Sequence, residues 1–126
     1  MNPRRNGEAA QRAAERRQRE NDAARLHAEV PRLETLRLEI QEQRGDGVLA
    51  AAAHIRRIVV EHAPALFVVQ CSDRSCKDGG HDLTAAIMRE LAAGSTRFEG
   101  EHACDGRSGS VPCTNILRYV GVATYK

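Results

Sequence analysis

Four cysteines are the residues of this chain best suited to chemistry, and they come in two pairs. Cys71 and Cys76 have four residues between them, and Cys104 and Cys113 have eight. Each pair stands where an apolar, strand-like run gives way to a loop. A tetrahedral zinc ion takes four thiolate or imidazole ligands at about 2.0–2.3 Å, and loops leave side chains free to converge on it. Both spacings exceed the CxxC knuckle, so the signal lies in number and placement: every cysteine of the chain falls in one of the two loops. A structural Zn2+ bound by Cys71, Cys76, Cys104 and Cys113 is the first expectation. His81 and His102 lie within or beside the loops and are alternative ligands. An iron–sulfur cluster also suits four thiolates, and paired redox thiols are a further alternative. A redox pair of the thioredoxin kind sits at a helix start, whereas Cys76 precedes the helix start expected at Asp82 by six residues.

The segment Lys77-Asp78-Gly79-Gly80-His81-Asp82 resembles an anion-binding turn in composition, with glycine N–H groups ahead of a helix. Its two aspartates argue instead for a flexible lead-in to Cys76. Catalytic signatures are missing: there is no GxSxG, no Walker loop, no HExxH and no HxE…PCxxC. Four thiolates would fill a zinc coordination sphere and exclude the water that catalytic zinc needs. A non-enzymatic, zinc-stabilised binding or adaptor module is therefore expected.

The elements that hold these loops are legible in the hydropathy pattern. Leu36, Leu38 and Ile40 alternate with Arg37, Glu39 and Gln41, the period of a half-exposed strand. Gly45-Asp46-Gly47 reads as a turn. Val48, Ala52, Ile55, Val59 and His62 share one helical face, which predicts a helix over 48–62 despite the β-branched run Ile55–Val60. Residues 65–70 read as a short buried central strand. Leu83, Ile87, Met88 and Leu91 predict a helix capped by Asp82 and stopped by Gly94. Residues 96–102 and 116–125 read as two further strands joined by the glycine-rich second cysteine loop. The expected fold is α+β or small α/β: a four-stranded sheet with two helices in the order β-α-β-α-β-β.

Ahead of that domain, expected over 32–126, residues 1–31 read as a charged helical arm. Glu8–Val30 holds neither proline nor glycine and is dense in Ala, Arg, Glu and Gln. Arg4, Arg5, Arg12, Arg16, Arg17 and Arg19 would grip phosphates of RNA, DNA or a ribosomal surface, although Glu8, Glu15 and Glu20 dilute the cluster. Ala23, Leu26, Val30 and Leu33 alternate three and four apart and suit a short coiled-coil seam, so a protein partner or self-association through the arm is the alternative. Overall charge is balanced, 19 basic against 17 acidic residues, and demands no polyanion by itself. The chain holds two lysines, a bias that a GC-rich coding sequence produces. Only four aromatic side chains are present, too few for a base-stacking surface. With no signal-like start and no apolar run of about 18 residues, a cytoplasmic protein is expected, where metal binding by cysteine is favoured over disulfides.

Overall fold

A computed structural model describes residues 3–45, 53–73, 76 and 79–126. Its elements are helices α1 (Pro3–Asp22) and α2 (Leu26–Glu29), strands β1 (Leu33–Gln43), β2 (His54–Ile58), β3 (Val68–Gln70) and β4 (Gly80–Asp82), helix α3 (Thr84–Ala92), and strands β5 (Arg97–Ala103), β6 (Arg107–Ser108), β7 (Val111–Pro112) and β8 (Ile116–Tyr125). The fold is α+β, built on a four-stranded antiparallel sheet in the order β2-β1-β8-β5. Two small hairpins, β3–β4 and β6–β7, stand outside that sheet.

Period-two alternation assigns the faces of the sheet. On β1, Leu36, Leu38, Ile40 and Glu42 are buried while Arg37, Glu39 and Gln41 are exposed. Their opposites on β8 are Ala123, Gly121, Tyr119 and Leu117. The core joins this face to Leu26 of α2, Val30, Val60, Phe67, Val69, Leu83, and Ile87 and Leu91 of α3. Each fully buried Leu or Ile in it contributes roughly 1.5–3 kcal/mol. Two glycines make room for aromatic rings between β5 and β8. Phe98 lies opposite Gly121 and Tyr119 opposite Gly100, and each ring fills the space that a Cβ on its partner would need.

Asp82 sets both ends of a small scaffold. The N-cap position of α3 is Leu83 and not Asp82, but Asp82 Oδ1, one residue earlier, accepts a hydrogen bond from the Thr84 N–H at 3.1 Å, and its Oδ2 meets the Arg19 guanidinium of α1 at 2.8 Å. Gly94 ends the same helix with φ +77°, where a side chain would be strained.

Several expectations need correction. Residues 54–58 form β2, an edge strand paired with β1, and not a helix. The β-branched Ile55 and Ile58, hydrogen-bonded in register to the amphipathic strand β1, outweigh the helical spacing. The turn residues Asp46 and Gly47 and the helical positions 48–52 lie outside the described residues. The strand expected over 65–70 is shorter, Val68–Gln70, and pairs only with β4. It is therefore not central in the sheet, and β-α-β-α-β-β is not the order found. The seam residues Leu26, Val30 and Leu33 are buried in the domain's own core, which removes the apolar face that a coiled coil would use. Helix α1 ends at Asp22, eight residues before Val30, and Leu26 and Val30 join the core from the arm side of residue 31.

Candidate metal centre

Each cysteine pair sits in the loop of an antiparallel hairpin. Cys71 and Cys76 lie between β3 and β4, and Cys104 and Cys113 lie between β5 and β8. Hairpin ladders fix where a loop leaves and returns, so each brings its two thiols to one end of a pair of strands. Backbone bonds shape the loops further: Cys104 N–H donates to the Asn115 carbonyl, Cys113 N–H to the Gly106 carbonyl, and Cys76 N–H to the Asp73 carbonyl.

The four sulphur atoms all lie within 4.8 Å of one another. Cys71 and Cys113 sulphurs are 3.8 Å apart, and Cys76 and Cys104 sulphurs 3.7 Å apart. Four ligands at about 2.3 Å around a tetrahedral ion would be separated by about 3.8 Å. No disulfide is formed, and a bonded pair would be about 2.05 Å apart. Thus the structure brings all four predicted cysteines together at metal-binding distance.

Crowding shows in the acidity of the thiols. Burial pushes Cys71 up to about 11, partly opposed by hydrogen bonds from the Asp73 backbone and the Asn115 side chain. Burial and the neighbouring Cys104 thiol push Cys76 up further. Cys113 moves down: burial raises it, but the Asn115 backbone N–H and the adjoining thiols outweigh that. Thiols packed this closely without a cation cannot all ionise, and a divalent ion would take the place of their protons.

A polar layer backs the sulphurs. Asn115, fully buried, donates from Nδ2 to Glu42 Oε1 at 2.9 Å and to Cys71 Sγ at 3.2 Å. The Ser72 N–H also reaches Glu42 Oε1, at 3.2 Å, and the Gly106 N–H points at Cys104 Sγ at 3.4 Å. Glu42 is buried, although it continues the core-facing row of β1. Reasoning from sequence missed Glu42 and Asn115. Position 42 follows Leu36, Leu38 and Ile40 in a strict alternation, and a carboxylate at a core position was the available signal.

The two alternative ligands meet each other. His81 Nδ1 and His102 Nδ1 are 2.9 Å apart with the rings edge to face. His81 Nε2 lies 3.5 Å from Glu42 Oε1. Burial lowers the pKa of His81, with Glu42 partly offsetting the effect. His81 therefore groups with Glu42 and Cys71, and not with the other three sulphurs.

The arm arginines are spread out. Arg16 and Arg17 are exposed on α1 and Arg19 is tied to Asp82, whereas the side chains of Arg4 and Arg5 lie outside the described set. Arg12 is exposed as well. The strand register reveals a second basic group. Arg57 faces Arg37, Arg37 faces Val122, and Val122 faces Arg97, so three exposed arginines share one transverse row on the outer face of the sheet. No spacing within the sequence announces this row, because it exists only once three strands are in register.

No helix among the described residues is long and apolar enough to cross a membrane. Comparison with protein-family models, curated proteins and solved structures finds nothing that matches this chain.

Proposed function

We propose that the four thiolates hold one structural zinc ion and that the domain so stapled is a non-enzymatic binding module. The observation that carries this reading is the pair of sulphur separations, 3.7 and 3.8 Å, which suit the edges of a single tetrahedral ion. A multi-iron cluster distributes its thiolates over different irons, so mutual distances within 4.8 Å favour one ion over a cluster. Four thiolates close the coordination sphere, and a closed sphere fits a structural and not a catalytic role.

The partner we propose is nucleic acid, gripped through its phosphates. Support comes from the exposed guanidiniums of Arg16 and Arg17 on α1 and from the row Arg57, Arg37 and Arg97 on the outer sheet face. Like charges directly opposite on neighbouring strands destabilise a sheet, and a bound anion would relieve Arg37 and Arg57. Self-association through the arm loses its support, because its apolar seam is buried.

Two measurements test the two halves. Native mass spectrometry with the visible spectrum should show a colourless zinc protein, and a brown protein or an oxidised, metal-free one defeats the metal reading. Fluorescence anisotropy with RNA and DNA oligonucleotides should show affinity falling steeply between about 50 and 200 mM salt. Charge reversal of Arg16 and Arg17, or of Arg37 and Arg57, should weaken it. Absence of any salt-sensitive binding defeats the nucleic-acid reading and leaves the metal reading standing.

A further inference from the structure

We infer that this site takes a second divalent transition-metal ion beside the first, held by Glu42, His81 and Cys71, with the Cys71 thiolate bridging the two ions. The inference rests on the four-thiolate reading and extends it inward, to side chains that a single ion leaves unused.

Geometry is the first support. A carboxylate oxygen of Glu42, the Cys71 sulphur and a ring nitrogen of His81 lie within 4.8 Å of one another. Glu42 is 3% and His81 0% exposed, a depth at which ionisable groups are almost always paired or coordinated. His81 Nε2 is buried with no hydrogen-bond partner, although it faces Glu42 Oε1 at 3.5 Å. Separations of about 3.3 Å are what nitrogen and oxygen ligands sharing one tetrahedral ion show.

The opposite side of the imidazole is arranged as a metal-bound histidine requires. Such a ring donates its other N–H to a neighbour that fixes its tautomer. Here Nδ1 of His81 is 2.9 Å from Nδ1 of His102. With Nε2 on the ion, His81 donates from Nδ1 and His102 accepts. His102 then acts as a positioning residue for the metal-binding ring.

Asn115 holds two of the three ligands in place, because its Nδ2 donates to Glu42 Oε1 at 2.9 Å and to Cys71 Sγ at 3.2 Å.

Charge balance points the same way. Four thiolates and a carboxylate outweigh one divalent ion, and part of the excess falls on Glu42, 3% exposed, where uncompensated charge is costly. A second divalent ion removes most of the excess.

The test is titration of the metal-free full-length chain with Co2+, read by native mass spectrometry, absorption and electron paramagnetic resonance. The wild type is expected to bind two ions, the first with thiolate charge-transfer bands. Binding of the second should diminish the resonance of the first, because ions sharing a thiolate couple magnetically. Glu42→Gln and His81→Asn should each stop at one ion and keep the thiolate bands. Saturation of the wild type at one ion overturns the inference while leaving the four-thiolate reading intact. Two ions without magnetic coupling, or two ions in both variants, also overturn it. Failure to bind any ion overturns both readings, and the wild-type stoichiometry decides the matter even if a variant does not fold.

Discussion

Gly79 and Gly106 meet face to face between the two cysteine loops. A Cβ on Gly106 would lie 2.5 Å from the Gly79 Cα and 2.6 Å from the Cys76 sulphur. The β3–β4 loop and the β5–β8 loop can therefore approach closely enough to share an ion only because neither residue has a side chain.

Gly106→Ala is expected to cost about 1–3 kcal/mol, as overpacking does, and to weaken metal binding at least tenfold. Gly7→Ala is the control, since a Cβ there meets nothing within 4 Å. It should leave metal affinity unchanged and raise helix content, because alanine is the better helix former. Competition for Zn2+ with a chromophoric chelator measures the first effect and circular dichroism the second. Equal affinity of Gly106→Ala and wild type would show that the loops do not need this contact.

Removal of metal should loosen the whole β3–β4 hairpin, which is joined to the sheet through the sulphurs and the Glu42–Asn115 layer. An ion at a thousand times its dissociation constant stabilises by about 4 kcal/mol. Chelation should then lower Tm by about 10 °C or more for a domain of this size. Cys71→Ser and Cys104→Ser should reproduce the shift and be insensitive to chelator. An unchanged melting curve after verified metal removal contradicts the structural role.

Asn115→Ala removes a donor from two groups at once, the buried Glu42 Oε1, which keeps only the Ser72 N–H, and the half-buried Cys71 Sγ. Losing hydrogen bonds to such groups costs roughly 1–3 kcal/mol. The variant should unfold at lower denaturant concentration and release bound metal faster to a chelator. A variant as stable as the wild type means that the amide is not what holds the carboxylate.

Asp82 supplies a pH dependence. Burial raises its pKa, but the bonds from the Thr84 side chain and backbone, and then Arg19, lower it more, so the net shift is downward. A carboxylate with a depressed folded-state pKa stabilises above its ordinary value of 3.8, and that stability fades as pH falls through it. Asp82→Ala should cost about 1 kcal/mol at neutral pH through the lost bond to the Thr84 N–H, with the exposed ion pair to Arg19 adding little. The gap in urea stability between the two proteins should narrow as pH falls below 3.8, and a gap that does not narrow refutes the assignment.

The sequence exposed most of what depends on local periodicity. The alternation of Leu36, Leu38 and Ile40 marked β1, and the stripe from Leu83 to Leu91 with Gly94 after it marked α3. Cys71, Cys76, Cys104 and Cys113 were legible because residue type and loop placement coincide. What stayed hidden depends on partners distant in sequence. Ile55 fits a helical face and a strand equally, and only the neighbouring β1 ladder decides for β2. Leu26 and Val30 show the same spacing whether they meet another chain or their own core. Glu42, Asn115 and the arginine row gain their meaning from register, which no single stretch of sequence contains.

The position of β8 carries a kinetic consequence. It is bonded to β1 on one side and β5 on the other, and across the β1 ladder the Thr35 and Thr124 hydroxyls touch although they stand 89 positions apart in the chain. Pairing between such remote segments makes folding slow, because loop closure must be met before any contact rewards it. The thiol-bearing hairpins are local and form within about 1–10 μs. An ion bound by both hairpins would join residues 71–76 to 104–113 and shorten the loop that must close before β1 meets β8, so metal binding would set the speed of folding as well as its end point.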